Sequence, residues 1–195
     1  MSVKITNDLK CLKWKFIDGY GFVCTDLVNE SILSKTIFLM NCSIEKIMIK
    51  FYYVTDKYGA FSNFARYPIR LKNKIWPTSE HYYQAQKYAG TAYEEEIRLA
   101  EKAIIAFRMG NDRGKSVRTD WEAVKDDIMR EAVRAKFSQH PELRELLLST
   151  GNTKIVEHTK NDSYWGDGGD GSGKNMLGII LMEVREELQS DGNER

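Results

Sequence analysis

Apolar residues fall at helical spacing over the later part of this chain and in short runs over the earlier part, so the pattern predicts helices joined to a few short strands. Met176, Leu177, Ile180, Leu181, Val184 and Leu188 trace one apolar stripe and predict a final helix. Trp121, Val124, Ile128, Ala132 and Ala135 trace another, opened by Thr119 and Glu122 at capping-box spacing. Pro141 starts a short leucine-rich helix that Gly151 closes. Upstream, a helix is predicted from Thr78 or Ser79 to about Ala89, with Gly90 as its stop, and a second from Tyr93 to Ala106. Strands are predicted at Phe51 to Val54, at Ile155 and Val156, and in a hairpin that joins Ile69–Leu71 to Ile75 and Trp76 by a turn near Lys72 and Asn73. Trp14 to Val23, interrupted at Asp18 to Gly21, predicts another small hairpin.

With 195 residues the chain has room for one domain with a real core. Its texture divides it into an N-terminal extension (1–47), a compact domain (48–189) and a flexible tail (190–195), and Met48 stands where a second translation start would separate the first two. The formal net charge of +1 supplies no general attraction to nucleic acid or membrane. Cys11, Cys24 and Cys42 all lie in the extension and show no C-x-x-C spacing, which argues against a disulfide framework or a zinc site and predicts a reducing, cytoplasmic setting. The longest apolar stretches, such as Leu177 to Met182, are too short to cross a bilayer, and Met1 to Phe16 carries lysines where a signal peptide has an apolar core.

Chemistry enters at the run Trp165 to Asn175, which packs glycines and two aspartates immediately before the last predicted helix. Gly168 to Lys174 follows a phosphate-binding loop, but Asn175 stands where that motif needs a hydroxyl. A calcium loop fails as well, because Asp167 and Asp170 are three apart and no carboxylate follows at the twelfth position. Two readings stay open: an anion site made by loop amides at a helix start, or a solvated glycine-rich turn. Glu80, Gln84 and Lys87 fall at i, i+4 and i+7 on one helix face, which is a candidate catalytic row and also the ordinary composition of a solvated face. Arg108 and Arg113 lie in a basic connector that would cradle a phosphate or simply face water. His81, His140 and His158 have no metal-ligand spacing.

From Phe51 to Leu188 the chain resembles the YbiA-like family, also called NADAR, of riboflavin-intermediate N-glycosidases. The resemblance is carried in order by Tyr58 to Phe64, Trp76 to Lys87, Arg108 to Arg113, Asp120-Trp121 with Val124-Lys125, Met129 with Ala132, Lys136-Phe137, and Tyr164 to Asn175 with Leu177-Gly178. It implies an α+β fold, predominantly helical with a few short strands, in agreement with the hydrophobic pattern. It implies hydrolysis of the C1–N bond of phosphorylated aminopyrimidine intermediates of riboflavin synthesis, with release of ribose 5-phosphate and no metal or organic cofactor. Some members instead remove ADP-ribose from guanine, so the partner is a small phosphorylated ribosyl substrate or, alternatively, ADP-ribosylated nucleic acid. No membrane is involved, and the sequence assigns no oligomeric state.

Such a cleavage builds positive charge at C1 while the departing nitrogen takes a proton. Glu80 is the first candidate for the C1 side, Asp167 and Asp170 for the second acid or base or for the ribose hydroxyls, and Lys87 for a Schiff-base amine. Gly171, Lys174, Asn175, Arg108 and Arg113 are candidates for the sugar phosphate, Trp121 and Trp165 for stacking on the base, and Asn63 and Gln84 for the remaining substrate contacts. The rival class is a non-catalytic nucleotide or ADP-ribose binding module, in which the Glu80–Lys87 row would be superfluous.

Overall fold

The computed structural model describes residues 14–17, 21–24 and 48–193. Contacts divide the chain into two units, Met1–Lys46 and Ile47–Arg195. In the first, β1 (Trp14–Ile17) and β2 (Gly21–Cys24) pair antiparallel with Ile17 opposite Gly21, the hairpin expected there. Cys11 and Cys42 lie outside the described residues.

The second unit runs β3 (Met48–Phe51), β4 (Ile69–Leu71), β5 (Lys74–Trp76), α1 (Ser79–Gln86), α2 (Ala92–Arg98), α3 (Ala103–Gly110), α4 (Trp121–Gln139), α5 (Pro141–Leu148), β6 (Lys154–Glu157) and α6 (Met176–Asn193). This is a helical α+β fold with few and short strands. β4 and β5 close on Lys72 and Asn73, both at positive φ (51° and 60°), as a two-residue type I′ turn requires. β3 pairs with β6 in parallel, Ile49 opposite Ile155.

α4 and α6 form the core's spine. Met129, Ala132, Val133 and Phe137 are buried together with Leu177, Ile180, Leu181 and Val184. Arg130 and Arg134 reach Glu183 and Glu187 across the outer edge of this pair, at 2.9 and 2.6 Å. Such part-exposed pairs fix the crossing more than they stabilise it. Lys136 is buried within the core, and its ammonium donates to the carbonyls of Ala60 (2.5 Å) and Ser62 (2.9 Å). Burial pulls its pKa down to about 7. These contacts fasten the segment that presents Asn63 to the site.

Several boundaries differ from the sequence expectation. β3 ends at Phe51, and Tyr53 and Val54 are exposed beyond it. The helix expected from Tyr93 to Ala106 is two helices, because Ala100 N–H turns back to Ile97 O and Leu99 faces solvent. α4 begins after Asp120 with no side-chain cap, so the Thr119–Glu122 capping box does not form. α6 continues to Asn193, into the segment expected to be a flexible tail. No described helix is long and apolar enough to cross a membrane.

Candidate active site

α1 is polar in composition yet all eight of its residues are buried. Its start is held by Thr78, whose Oγ1 accepts the backbone N–H of His81 (3.3 Å) and lies 2.8 Å from His81 Nδ1. The other ring nitrogen, Nε2, lies 3.0 Å from the Ala100 carbonyl. A carbonyl only accepts, so Nε2 carries the proton and Nδ1 accepts from Thr78. Fixed this way, the helix presents Glu80, Gln84 and Lys87 in one row, at 5%, 3% and 8% exposure. A solvated face is thereby ruled out.

Within the row, Gln84 Nε2 donates to Glu80 Oε1 at 2.7 Å. Burial pushes the Glu80 carboxyl up to about 7, against the opposing pull of the Gln84 amide and the Lys87 charge. Lys87 Nζ donates to the Gly110 carbonyl (3.0 Å) and to Asn111 Oδ1 (3.2 Å). Burial lowers its pKa, with Glu80 and Glu122 opposing. α3 approaches α1 so closely that a Cβ on Gly110 would stand 2.1 Å from Gln84 Oε1, so glycine is needed there. Asn63 Oδ1 and Gln84 Oε1 are buried without a partner, an arrangement that is costly unless a ligand satisfies it.

The row forms one wall of a cleft of about 1300 Å³. The lining also includes Glu157 at the end of β6 and Thr159, Asn161, Asp162, Tyr164 and Trp165 from the loop that follows. Tyr83 stands between two indoles, with ring centroids 5.0 Å from Trp121 and 5.3 Å from Trp165. This aromatic wall suits a flat base. Arg113, Lys102, Lys115 and Lys125 supply positive charge around the cleft, and Tyr53, Phe107 and Val117 form an exposed apolar rim.

Of the sequence candidates, the cleft gathers Glu80, Lys87, Asn63, Gln84, Arg113, Trp121 and Trp165. It does not gather Asp167, Asp170, Gly171, Lys174, Asn175 or Arg108. Arg108 is exposed in the last turn of α3. The glycine-rich loop departs from the anion-site expectation for a clear reason: most of its amides are already used. Those of Asp167, Gly168, Gly171, Gly173, Lys174 and Asn175 donate to backbone carbonyls between Glu157 and Asp167, and those of Gly169 and Ser172 to the carboxylates of Asp167 and Asp170.

Asp167 is buried, with Oδ2 2.8 Å from His158 Nδ1 and Oδ1 accepting from Thr159 N–H (3.2 Å) and Gly169 N–H (2.9 Å). Burial would raise its pKa, but these bonds outweigh it and hold the carboxyl below its ordinary value. Asp170 is exposed, and its carboxyl is held low by its bond to Ser172. Lys174 Nζ stands 4.8 Å over the Tyr164 ring. Asn175, at positive φ (55°), accepts Glu157 N–H through Oδ1 and donates to the Ile155 carbonyl through Nδ2, both at 2.9 Å. The loop is a brace behind the cleft.

Glu157, Asn161 and Asp162 also line the cleft and are not among the residues the sequence points to. The available signal was position: Glu157 follows directly on the apolar pair Ile155 and Val156, at the carboxyl end of a strand. Asp162 Oδ1 accepts the amides of Tyr164 (2.7 Å) and Trp165 (2.8 Å) and so sets the turn that aims Trp165. Among the described residues no three His, Cys, Asp or Glu side chains group to hold a metal ion.

The NADAR domain profile matches residues 50–189. N-glycosidase YbiA of Escherichia coli is 57% identical over 145 residues, which span 74% of this chain and 91% of that protein. A riboflavin biosynthesis protein of Vibrio vulnificus is 45% identical over 141 residues, covering 72% of this chain and 38% of that longer protein. The solved NMR structure of E. coli YbiA matches with a TM-score of 0.72 at 56% identity, over 77% of this chain and 89% of the other.

Proposed function

This chain belongs to the NADAR domain family and is an N-glycosyl hydrolase; we propose that it cleaves the C1–N bond of phosphoribosyl aminopyrimidine intermediates of riboflavin biosynthesis, releasing ribose 5-phosphate. The observation that carries this reading is the buried Glu80–Gln84–Lys87 row lining the cleft beside the aromatic cluster of Tyr83, Trp121 and Trp165. A binding module has no use for a carboxylate kept out of water at such cost. In the reaction, the C1–N bond lengthens and positive charge spreads over C1 and the ring oxygen. Ionised Glu80 stabilises that charge in a site of low dielectric, where one carboxylate is worth far more than in water. Gln84 orients the carboxylate, and the Lys87 charge favours its ionised form. The base stacks on Trp121 or Trp165, and Arg113 is the cleft cation assigned to the sugar phosphate.

A second reading, removal of ADP-ribose from guanine, is favoured by the volume of the cleft, which exceeds the usual range for small-ligand pockets. One experiment separates the two. The purified protein is incubated with the phosphoribosyl aminopyrimidines and, separately, with ADP-ribosylated guanine in DNA. Ribose 5-phosphate from the first supports the proposal, free ADP-ribose from the second alone replaces it, and neither product overturns both.

A further inference from the structure

Of the cleft carboxylates that the mechanism above leaves unused, Asp112, Glu122 and Asp162 are engaged by the Gly114 amide, by Lys125 and by the Tyr164 and Trp165 amides, which leaves Glu157. Its backbone is fixed from both sides: Asn175 Oδ1 accepts its N–H, its carbonyl accepts Asp167 N–H, each at 2.9 Å, and Phe51 pairs with it across β3 and β6. Its side chain lines the same cleft as Glu80 and has neither a hydrogen-bond nor an ion-pair partner among the described residues. A carboxyl group held by a rigid brace, with nothing to bond but cleft contents, is free to act on a substrate.

We propose that Glu157 is the general acid that protonates the departing nitrogen. The inference rests on the N-glycosidase reading. As the C1–N bond breaks, its electron pair goes to nitrogen, which takes the Glu157 proton. Water adds to C1 and gives a proton to Glu80. One proton is lost and one gained, and exchange with solvent restores both groups. Environment divides the two roles. Glu80 has the Gln84 amide and Lys87 to favour its anion. Glu157 is half-buried, and loss of water around it, followed by the negative charge of Asp162, Glu80 and Asp167, pushes its carboxyl up to about 7. With one carboxylate already charged in the cleft, the second keeps its proton.

The test is the pH profile of kcat/KM for the aminopyrimidine substrate in wild type, Glu157→Gln and Glu157→Asp. The wild type should give a bell centred near neutrality. Glu157→Gln should lose about 10²-fold at the optimum and keep the rise on the acid side while losing the fall on the alkaline side. Glu157→Asp keeps a proton donor, so its alkaline fall should remain at reduced rate, which preserves the test if the glutamine variant does not fold. An alkaline fall unchanged in Glu157→Gln, or one lost in Glu157→Asp, overturns the assignment. So does a full-rate Glu157→Gln enzyme. A wild-type protein that cleaves no glycoside fails at the earlier step and overturns the N-glycosidase reading itself.

Discussion

Glu80 is the residue on which stability and activity pull apart. Its folded pKa, raised from 4.5 to about 7, means that between those values the unfolded chain has released a proton the folded chain still holds. Wild-type stability therefore falls as pH rises through that window, by at most roughly 3 kcal/mol, and stays lowered above it. Glu80→Gln keeps the size and the bond from Gln84 but has no such group. We expect it to melt at higher temperature than wild type at pH 8, with the difference vanishing near pH 4.5, while kcat falls about 10²-fold or more. Calorimetry at the two pH values and one turnover assay check both halves. Arg113→Ala should raise KM for the 5'-phosphorylated substrate by about tenfold and leave the dephosphorylated one little changed, since one charge-assisted contact is removed. Equal losses for the two would take the phosphate away from Arg113. The row on α1 was legible in the sequence because helical spacing alone puts Glu80, Gln84 and Lys87 on one face. That the face is buried was not, since Tyr82 and Ala85 on the other side already gave the helix an apparent inside. Burial here comes from α3 and α4, which pack on α1, and from the Asn63 segment, whose carbonyl accepts Glu80 N–H, and these are contacts between segments distant in sequence.

Among the elements, the glycine-rich loop shows how composition misleads. Gly168, Gly169 and Gly171 do take positive φ, and a Cβ on Gly173 would lie 2.5 Å from the Asp167 backbone, so the glycines are required by the path of the chain. The need is internal: the loop folds tightly enough to use its own amides. Periodicity and turn chemistry located the hairpin and most of the helices, because those depend on neighbours three or four residues away. They joined α2 to α3, where a local reversal at Ala100 interrupts an otherwise helical stretch. Asn175→Ala tests the brace. It removes two buried hydrogen bonds and leaves a residue with no local compensation at positive φ, so we expect a loss of about 2–4 kcal/mol in urea unfolding and a fall in kcat from a loosened Glu157. A large kcat loss without change in stability would mean that Asn175 touches the substrate itself.

For the molecule as a whole, the described residues that line the cleft all come from the second unit. β3 begins at Met48, so a chain starting there retains its whole first strand. We expect that shortened protein to fold and to keep wild-type kcat/KM, checked by circular dichroism and turnover; a folded but inactive product would assign the extension a part in catalysis. The same strand has a further consequence through its parallel partner. Met48–Phe51 must find Lys154–Glu157 across roughly a hundred intervening residues before Glu157 is set in place. During synthesis the first strand leaves the ribosome long before its mate has been translated, and at about 5–20 residues per second it waits several seconds unpaired. Loop closure over such a separation is slow, so catalytic competence is expected to arrive after the locally determined helices. A refolding experiment followed by both far-ultraviolet ellipticity and enzyme activity should show helix returning ahead of turnover.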